Sequence, residues 1–419
     1  MWVYLERSKG SLVLLRSISL SSRPFKLYVI CVKLISIHGL PLTKEMGVGT
    51  WEVLVKSGVE EKQNLVVVKV GGSLVRSPKD YVKVSEILVR NILEKSRAAI
   101  VVSAIKGITD LLISTCNGDR EALDKVIETH RRFSKELGIA GPYGDHVEEL
   151  EEEVVRYSVM CRESMIHRDR VLSIGERFSA IALAKTLSDM GLRVKVAWPW
   201  DIGIITDDRF GDASPKVPDI YAGVGASVRK IIDSGYIPVI PGFIGVTGDG
   251  YITTMGRGSS DLTAVLIARA AMFNKAILLT ETPGIMTTDP KIVSGAYTVE
   301  VMDFVEGERA SRYSVKGLNY KMFEHVWDYD GEIHILDLSM RGTKICRECR
   351  REGAKVIAPF AGGVSVIGWG SGKVVKTAVG KNQMNGSSIE LRDDVETLVL
   401  SKVDPVELVR IIHREVFGR

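Results

Sequence analysis

No apolar run in the 419 residues is long enough to span a bilayer, which takes about 20 residues, so the sequence does not ask for a membrane. An excess of one charge is missing too. Lysine plus arginine number 56 against 52 aspartate plus glutamate, a formal net charge of +4. A dedicated nucleic-acid binder carries a basic stripe, so nucleic acid is not an expected partner. Cysteine is scarce: Cys31, Cys116, Cys161, Cys346 and Cys349 are an odd, scattered set. That fits a reducing, cytoplasmic compartment better than a disulfide framework. Cys346-x-x-Cys349 has no second pair to complete the four ligands of a structural zinc. It is expected to be two incidental thiols, and no metal site is expected. Internal repeats and low-complexity tracts are absent as well.

What remains is an ordinary globular composition, 45% apolar and 26% charged, at a length that suits about two domains. Residues 1–45 stand apart. They carry Arg7, Lys9, Arg16, Arg23, Lys26, Lys33 and Lys44 against only Glu6 and Glu45, with frequent serines. The segment reads as a transit peptide or as an upstream stretch outside the translated protein, with Met46 the true start. The second is the expectation, and residues 1–60 are left out of the fold.

From residue 65, short β-branched runs alternate with longer stretches of helical spacing. Strands are expected at 65–70, 98–104, 192–198, in YIPVIPG and at 275–280. Helices are expected at 79–95, 120–136, 147–163, in PDIYAGVGASVRKIIDSG and in SDLTAVLIARAAM. This alternation predicts a mostly parallel sheet covered on both faces, over 61–330. Residues 331–419 read as a small α+β unit. Its strands are EIHILDL, VSVIGWG, SSIELRD and ETLVLSK, with a turn at Arg392-Asp393-Asp394. Its closing helix has Asp404 as N-cap, Pro405 at N1 and an apolar face of Leu408, Val409, Ile411, Ile412 and Val416. The acidic run HVEELEEE at 146–153 reads as a solvated helix face, and His130 and His167 as surface residues.

Three stretches carry chemistry. LVVVKVGGSLV at 65–75 is a strand ending in Lys69, Gly71, Gly72 and Ser73, whose glycine turn and amine suit an anion. The lysine precedes the glycines, so this is not a Walker loop. A plain tight turn would explain the same residues. In GFIGVTGDGYITTMGRGSSDLTAVLIARAA at 242–271, Arg257 offers a planar fork for a carboxylate. Ser260 and Asp261 stand where a helix begins, and either would also serve as a mere cap. LLTETPGIMTTDPKIV at 278–293 leaves a buried strand through two turns, at the strand end where ligands bind in such folds.

Taken together, these stretches resemble the amino acid kinase family, and within it the aspartate kinase branch. The resemblance covers about 65–330 and continues more weakly to 419. Its other carriers are VVSAIKGITD (101–110), SIGERFSA (173–180) and VKGL (315–318). It implies a three-layer α/β fold followed by an ACT-like domain, one module where relatives usually carry two. It also implies transfer of the ATP γ-phosphate, with Mg²⁺, to the β-carboxylate of aspartate, giving 4-phospho-L-aspartate on the way to lysine, threonine and methionine. Catalytic roles fall to Lys69, which neutralises the moving phosphoryl group, and Asp261, which orients Lys69. Ser103, Thr109 and Ser260 line the amino-acid site; Glu176 holds the ammonium and Arg257 the α-carboxylate. Gly71, Gly72, Ser73, Thr280, Glu281, Met286, Asp289, Lys291 and Lys316 lie on the nucleotide side. A homodimer or higher homo-oligomer is implied, with the ACT-like domain dimerising the chain, capping the core or sensing an end product.

The chemistry agrees with those roles. A β-carboxylate is already ionised at neutral pH, so no general base is needed. Alignment and charge neutralisation remain as the means of catalysis. Glu176 and Arg257 are a natural pair for the two ends of a free amino acid. The chain departs from the family at Val70, Ser259, Glu281, Met286, Lys291 and Asn319-Tyr320, mostly on the nucleotide side. Two alternatives therefore stand: a sister kinase of acetylglutamate, glutamate or UMP, and a non-catalytic amino-acid sensor.

Overall fold

The structure, a computed structural model, describes residues 64–418 apart from 314, 316 and 382–386, together with the backbone of 2–7, 11–16 and 381. In the first unit, Met1–Glu60, Trp2–Arg7 pairs antiparallel with Ser11–Arg16. The rest of that extension, including Met46, lies outside the described residues.

The LVVVKV run becomes β1 (Leu65–Val70) at the heart of an eight-stranded sheet. Its neighbours are β2 (Arg97–Val102) and β7 (Lys275–Leu279). Outward from β2 lie β4 (Ile237–Pro241) and β3 (Val194–Val196). Outward from β7 lie β9 (Glu332–Leu336), β10 (Gly342–Ile345) and β8 (Val301–Met302). Only β9 and β10 run antiparallel; the other neighbours are parallel. A separate hairpin pairs β5 (Ile244–Val246) with β6 (Ile252–Thr254).

Side-chain parity along β1 places the chemistry. Val66, Val68 and Val70 enter a core shared with α1 (Pro78–Leu88) and α6 (Ile174–Asp189). Val67 enters the opposite core, shared with α7 (Val217–Asp233) and α8 (Ser260–Ala270). Lys69 has the parity of Val67 and so points toward α8.

Several expectations are corrected here. Glu332–Leu336 was assigned to the C-terminal unit but pairs with β7 in the large sheet, because its Ile333 and Ile335 complete the core on the α8 face. His130 is buried, not exposed. It lies on the face of α3 (Arg120–Glu136) that carries Val126 and Phe133, and stacks on Phe178 with ring centroids 4.0 Å apart. Burial pushes its pKa down to about 3. His167 is half-buried against Tyr157. The acidic run lies in α4 (Pro142–Ser158) and is not all solvated, since Glu153 pairs with both Arg170 and Arg177. The four cysteines among the described residues are joined as Cys116–Cys161 and Cys346–Cys349 disulfides. The fold brings the first pair together across 45 residues, which spacing alone did not reveal.

The C-terminal module has the sheet order β11 (Val356–Phe360), β12 (Gly363–Ile367), β14 (Glu396–Leu400), β13 (Ser388–Leu391), all antiparallel. Counted from β12 through α10 (Ser371–Lys381) to α11 (Pro405–Phe417), it is a ferredoxin-like β-α-β-β-α unit. Its remaining strand, β11, comes from upstream. Asp404 caps α11 by accepting from the amides of Val406 and Glu407.

Buried polar contacts fasten this module to α9 (Phe304–Ser311). Lys355 Nζ lies 2.5 Å from Glu306 Oε2, with side-chain exposures of 9% and 0%. The Trp369 amide donates to Glu306 Oε1, and its indole donates to Asp303 at 2.6 Å. No helix among the described residues is long and apolar enough to cross a membrane.

Candidate active site

Two glycines end β1, and the space around them is already taken. A Cβ on Gly72 would collide with the Ala104 carbonyl oxygen. One on Gly71 would stand 3.0 Å from the Leu279 carbonyl oxygen and 3.5 Å from Lys69 Nζ. The Gly71 amide is engaged with Leu279 at 3.2 Å, so it is not among the donors offered to an anion. Gly72, Ser73 and Leu74 then form a tight helical turn.

Lys69, pointed toward α8 by its parity, reaches Asp261 in that helix's first turn, with Nζ 2.8 Å from Oδ1. The approach is too oblique for a hydrogen bond. Both side chains are nearly buried, at 14% and 15% exposure. Asp261 therefore holds the amine beside Gly71 as an ion pair.

Next to this pair lies a cavity of about 300 Å³. Ser103, Thr109, Glu176, Arg257 and Ser260 all line it, as do Gly72 and Ser73 from the glycine turn. Stretches far apart in sequence thus converge on one cavity. Glu176 sits in the first turn of α6 and is buried. Burial pushes its pKa up to about 8, opposed by the amides of Ala104 and of its own residue. Its Oε2 has no hydrogen-bond partner. A buried carboxylate with an open lone pair suits a cation.

Arg257 stands at the cavity rim between Gly256 and Gly258, whose φ values of +81° and +77° favour glycine. Its guanidinium meets the Asp110 carboxylate at 2.6 Å. Ser259, where the family has a second glycine, closes the same loop by donating to the Gly256 carbonyl at 2.7 Å.

Lining residues that were not singled out from the sequence include Lys106, Asp110 and Phe243. The first two lie inside the quoted VVSAIKGITD stretch, where a charged residue at the rim was the available signal. Phe243 follows Pro-Gly at the end of β4 with φ +68°, a left-handed backbone unusual for a bulky residue. Its amide donates to Thr263 on α8. No periodicity marks such a position.

The residues that the resemblance puts on the nucleotide side divide between two further cavities. Ser73, Thr280 and Glu281 line one of about 470 Å³, where Arg76, Lys83 and Arg341 face Asp80, Glu281 and Asp337. Glu281, which replaces an aspartate, pairs with Arg76. Met286, Asp289 and Lys291 line another, of about 400 Å³. Ser73 belongs to both the 300 Å³ and the 470 Å³ cavities and is their meeting point. Lys316 lies outside the described residues. Among the described residues no group of three or more His, Cys, Asp or Glu is placed to hold a metal ion.

Residues 64–337 match the model of the amino acid kinase family. The chain belongs to the amino acid kinase family. Among characterised members it is 30% identical over 264 residues to the aspartokinase of Chlamydia pneumoniae, covering 60% of this chain and 56% of that one. It is 33% identical over 167 residues to the aspartokinase of Thermus thermophilus, covering 40% of each. The chain spans about half the length of the curated relatives it matches. The solved structure of E. coli aspartokinase III with aspartate and ADP superposes with a TM-score of 0.66 at 22% identity, over 83% of each chain. That of Clostridium acetobutylicum aspartate kinase gives 0.66 at 17%, over 85% of this chain and 100% of that one. These two share the fold of this member of the amino acid kinase family.

Proposed function

We propose that the chain is an ATP-dependent aspartate kinase. One observation carries the choice of substrate. A single 300 Å³ cavity holds the buried Glu176, with an unpartnered oxygen, and the Arg257 guanidinium. Such a pair fits the ammonium and carboxylate of a free α-amino acid. Acetylglutamate and UMP bring no ammonium, so neither would answer the unpartnered oxygen of Glu176 with a cation.

In this reading the β-carboxylate lies beside Ser73, facing the nucleotide's terminal phosphate. A carboxylate oxygen attacks the γ-phosphorus, the bond to the β–γ bridging oxygen breaks, and ADP leaves with 4-phospho-L-aspartate as product. No proton is transferred. Lys69 neutralises charge on the moving phosphoryl group, and Asp261 fixes the amine where it is needed. Magnesium, if bound with the nucleotide, would supply further neutralisation of the phosphate charge and would need only one or two carboxylates from protein. The product would enter lysine, threonine and methionine synthesis.

We also take the chain to assemble as a homodimer or higher homo-oligomer. The support is β13, which ends the small sheet with one edge unpaired among the described residues. The need for ATP supports a cytoplasmic setting.

Trapping of the acyl phosphate with hydroxylamine tests the activity. Aspartate should give hydroxamate, and acetylglutamate and glutamate none; UMP is followed by ADP release. ATP turnover with UMP or acetylglutamate alone would assign the chain to a sister kinase. Aspartate binding with no nucleotide binding in calorimetry would make it a sensor.

A further inference from the structure

The loop that carries Arg257 has little to hold it in shape from within. Gly256 and Gly258 flank the arginine, and glycine restricts the backbone less than any other residue. The Ser259 hydroxyl closes the loop on the Gly256 carbonyl, but that bond ties the loop only to its own end.

A clasp arrives from elsewhere in the chain. Lys321, in the short helical turn Tyr320–Phe323, reaches back 66 positions and donates from Nζ to the Met255 carbonyl at 2.8 Å. The same amine pairs with the carboxylate of Asp212. A Cβ on Gly256 would stand 2.8 Å from that amine and would collide with Asp212 Oδ1. The pair therefore lies directly against the residue before Arg257. Lys321 is half-buried, and Asp212 is exposed. The turn is fixed in its own right, because Asn319 Oδ1 accepts from the Lys321 amide at 2.9 Å. The side-chain amide of Asn319 also stands 3.5 Å from the Arg257 carbonyl. One turn thus touches the loop on both sides of the arginine.

A charged donor makes a stronger bond to a carbonyl than a neutral one, and partial burial of the amine keeps competing water away. Lys321 lines none of the three cavities described above, so its reach to the chemistry runs through the loop. It follows Asn319-Tyr320, where the chain departs from the family, and the resemblance gave it no role.

We infer that Lys321, held by Asp212, is a positioning residue: it fixes the Met255 carbonyl and so sets where the Arg257 guanidinium stands at the rim of the 300 Å³ cavity. The inference rests on the proposal that Arg257 clamps the α-carboxylate of aspartate. It makes the affinity for aspartate depend on a side chain that never meets aspartate.

Steady-state kinetics of the full chain tests it. Lys321→Met keeps the stem and removes the charge. It should lower kcat/KM for aspartate about tenfold, through KM, with kcat and the KM for ATP within about twofold of the parent. Lys321→Arg, whose guanidinium can meet both oxygens, should return to within about threefold. In an Arg257→Ala background Lys321→Met should change kcat/KM less than about twofold, because the group it positions is gone. A full loss in that background as well overturns the inference, and so does an unchanged kcat/KM in the parent background. A lysine that served the fold alone would lower the melting temperature and leave these ratios in place. If Lys321→Met does not fold, Asp212→Asn decides: it should lower kcat/KM about threefold, and no loss overturns the inference.

Hydrogen exchange across residues 255–258 gives a readout without substrate, and it should quicken in Lys321→Met. The two proposals therefore fail separately. Quickened exchange in a chain that forms no hydroxamate from aspartate removes the activity alone. Hydroxamate formation with exchange and kcat/KM both unchanged in Lys321→Met removes this inference alone.

Discussion

The guanidinium of Arg257 lies 2.6 Å from the carboxylate of Asp110, and both side chains are largely exposed, at 71% and 67%. The cation proposed to clamp the substrate's α-carboxylate is thus already answered by a carboxylate of the protein. Binding has to displace Asp110 or share the arginine with it. Exposed pairs of this kind are worth about 0–1 kcal/mol. Asp110→Asn should therefore lower the KM for aspartate by up to about fivefold with little change in kcat. Steady-state kinetics on the two forms checks this, and a raised KM would mean that Asp110 orients Arg257 rather than competing for it.

Lys69 and Arg257 should separate chemistry from binding. Lys69→Ala removes charge needed in the transition state and should lower kcat by about 10²-fold or more, with aspartate affinity within a few-fold. Arg257→Ala should instead raise the KM for aspartate strongly. Equal losses of aspartate affinity in the two variants would show that Lys69 stands against the amino acid and not the phosphate.

Glu176 makes both binding and stability depend on pH. With its pKa at about 8 in the native protein, it is mostly protonated at pH 7. A bound ammonium favours the ionised form, so aspartate binding should release a proton and tighten as pH rises from 6 to 8. Calorimetry in buffers of different ionisation enthalpy measures that proton. For stability the sign is opposite. The unfolded carboxyl has a pKa of about 4.3, so between there and about 8 the native state holds the extra proton and stability falls as pH rises. Glu176→Gln should therefore melt higher than the parent at pH 8.5 while losing aspartate. Equal melting at that pH would mean the carboxyl is not buried in solution.

The Lys355–Glu306 pair should weigh heavily on stability, because neither group reaches solvent freely. Lys355→Met leaves Glu306 buried without its cation and should cost roughly 3–5 kcal/mol. Adding Glu306→Gln should restore part of the loss. Urea titrations of the single and double variants check this; a single-variant loss below about 1 kcal/mol would mean that water reaches the pair.

Most of the parallel sheet was legible in the sequence, because β-branched runs of the right length alternate with helical spacing. The parity of β1 even orients Lys69, since Val67 and Lys69 share a face. The split of the small unit was less legible. Glu332–Leu336 reads as a strand, but nothing local says which sheet it joins, and burial of Ile333 and Ile335 decides that. His130 looks solvated among its charged neighbours, yet the helix turns it onto Phe178. The 300 Å³ cavity gathers polar residues that the sequence had already singled out, Ser103, Thr109, Glu176, Arg257 and Ser260. Phe243 was not, because a strained backbone at a strand end leaves no pattern. Asp110 was overlooked because its partner lies 147 positions away.

The final helix contacts a loop more than a hundred residues upstream of it, with His413 on Thr287 and Arg410 on Ile292. Proteolytic clipping or a bulky fusion at the carboxyl terminus would then be felt far from where it is made. A preparation that lost its last turns of helix would keep the glycine turn after β1 and the 300 Å³ cavity, and would release the loop that carries Met286 and Lys291.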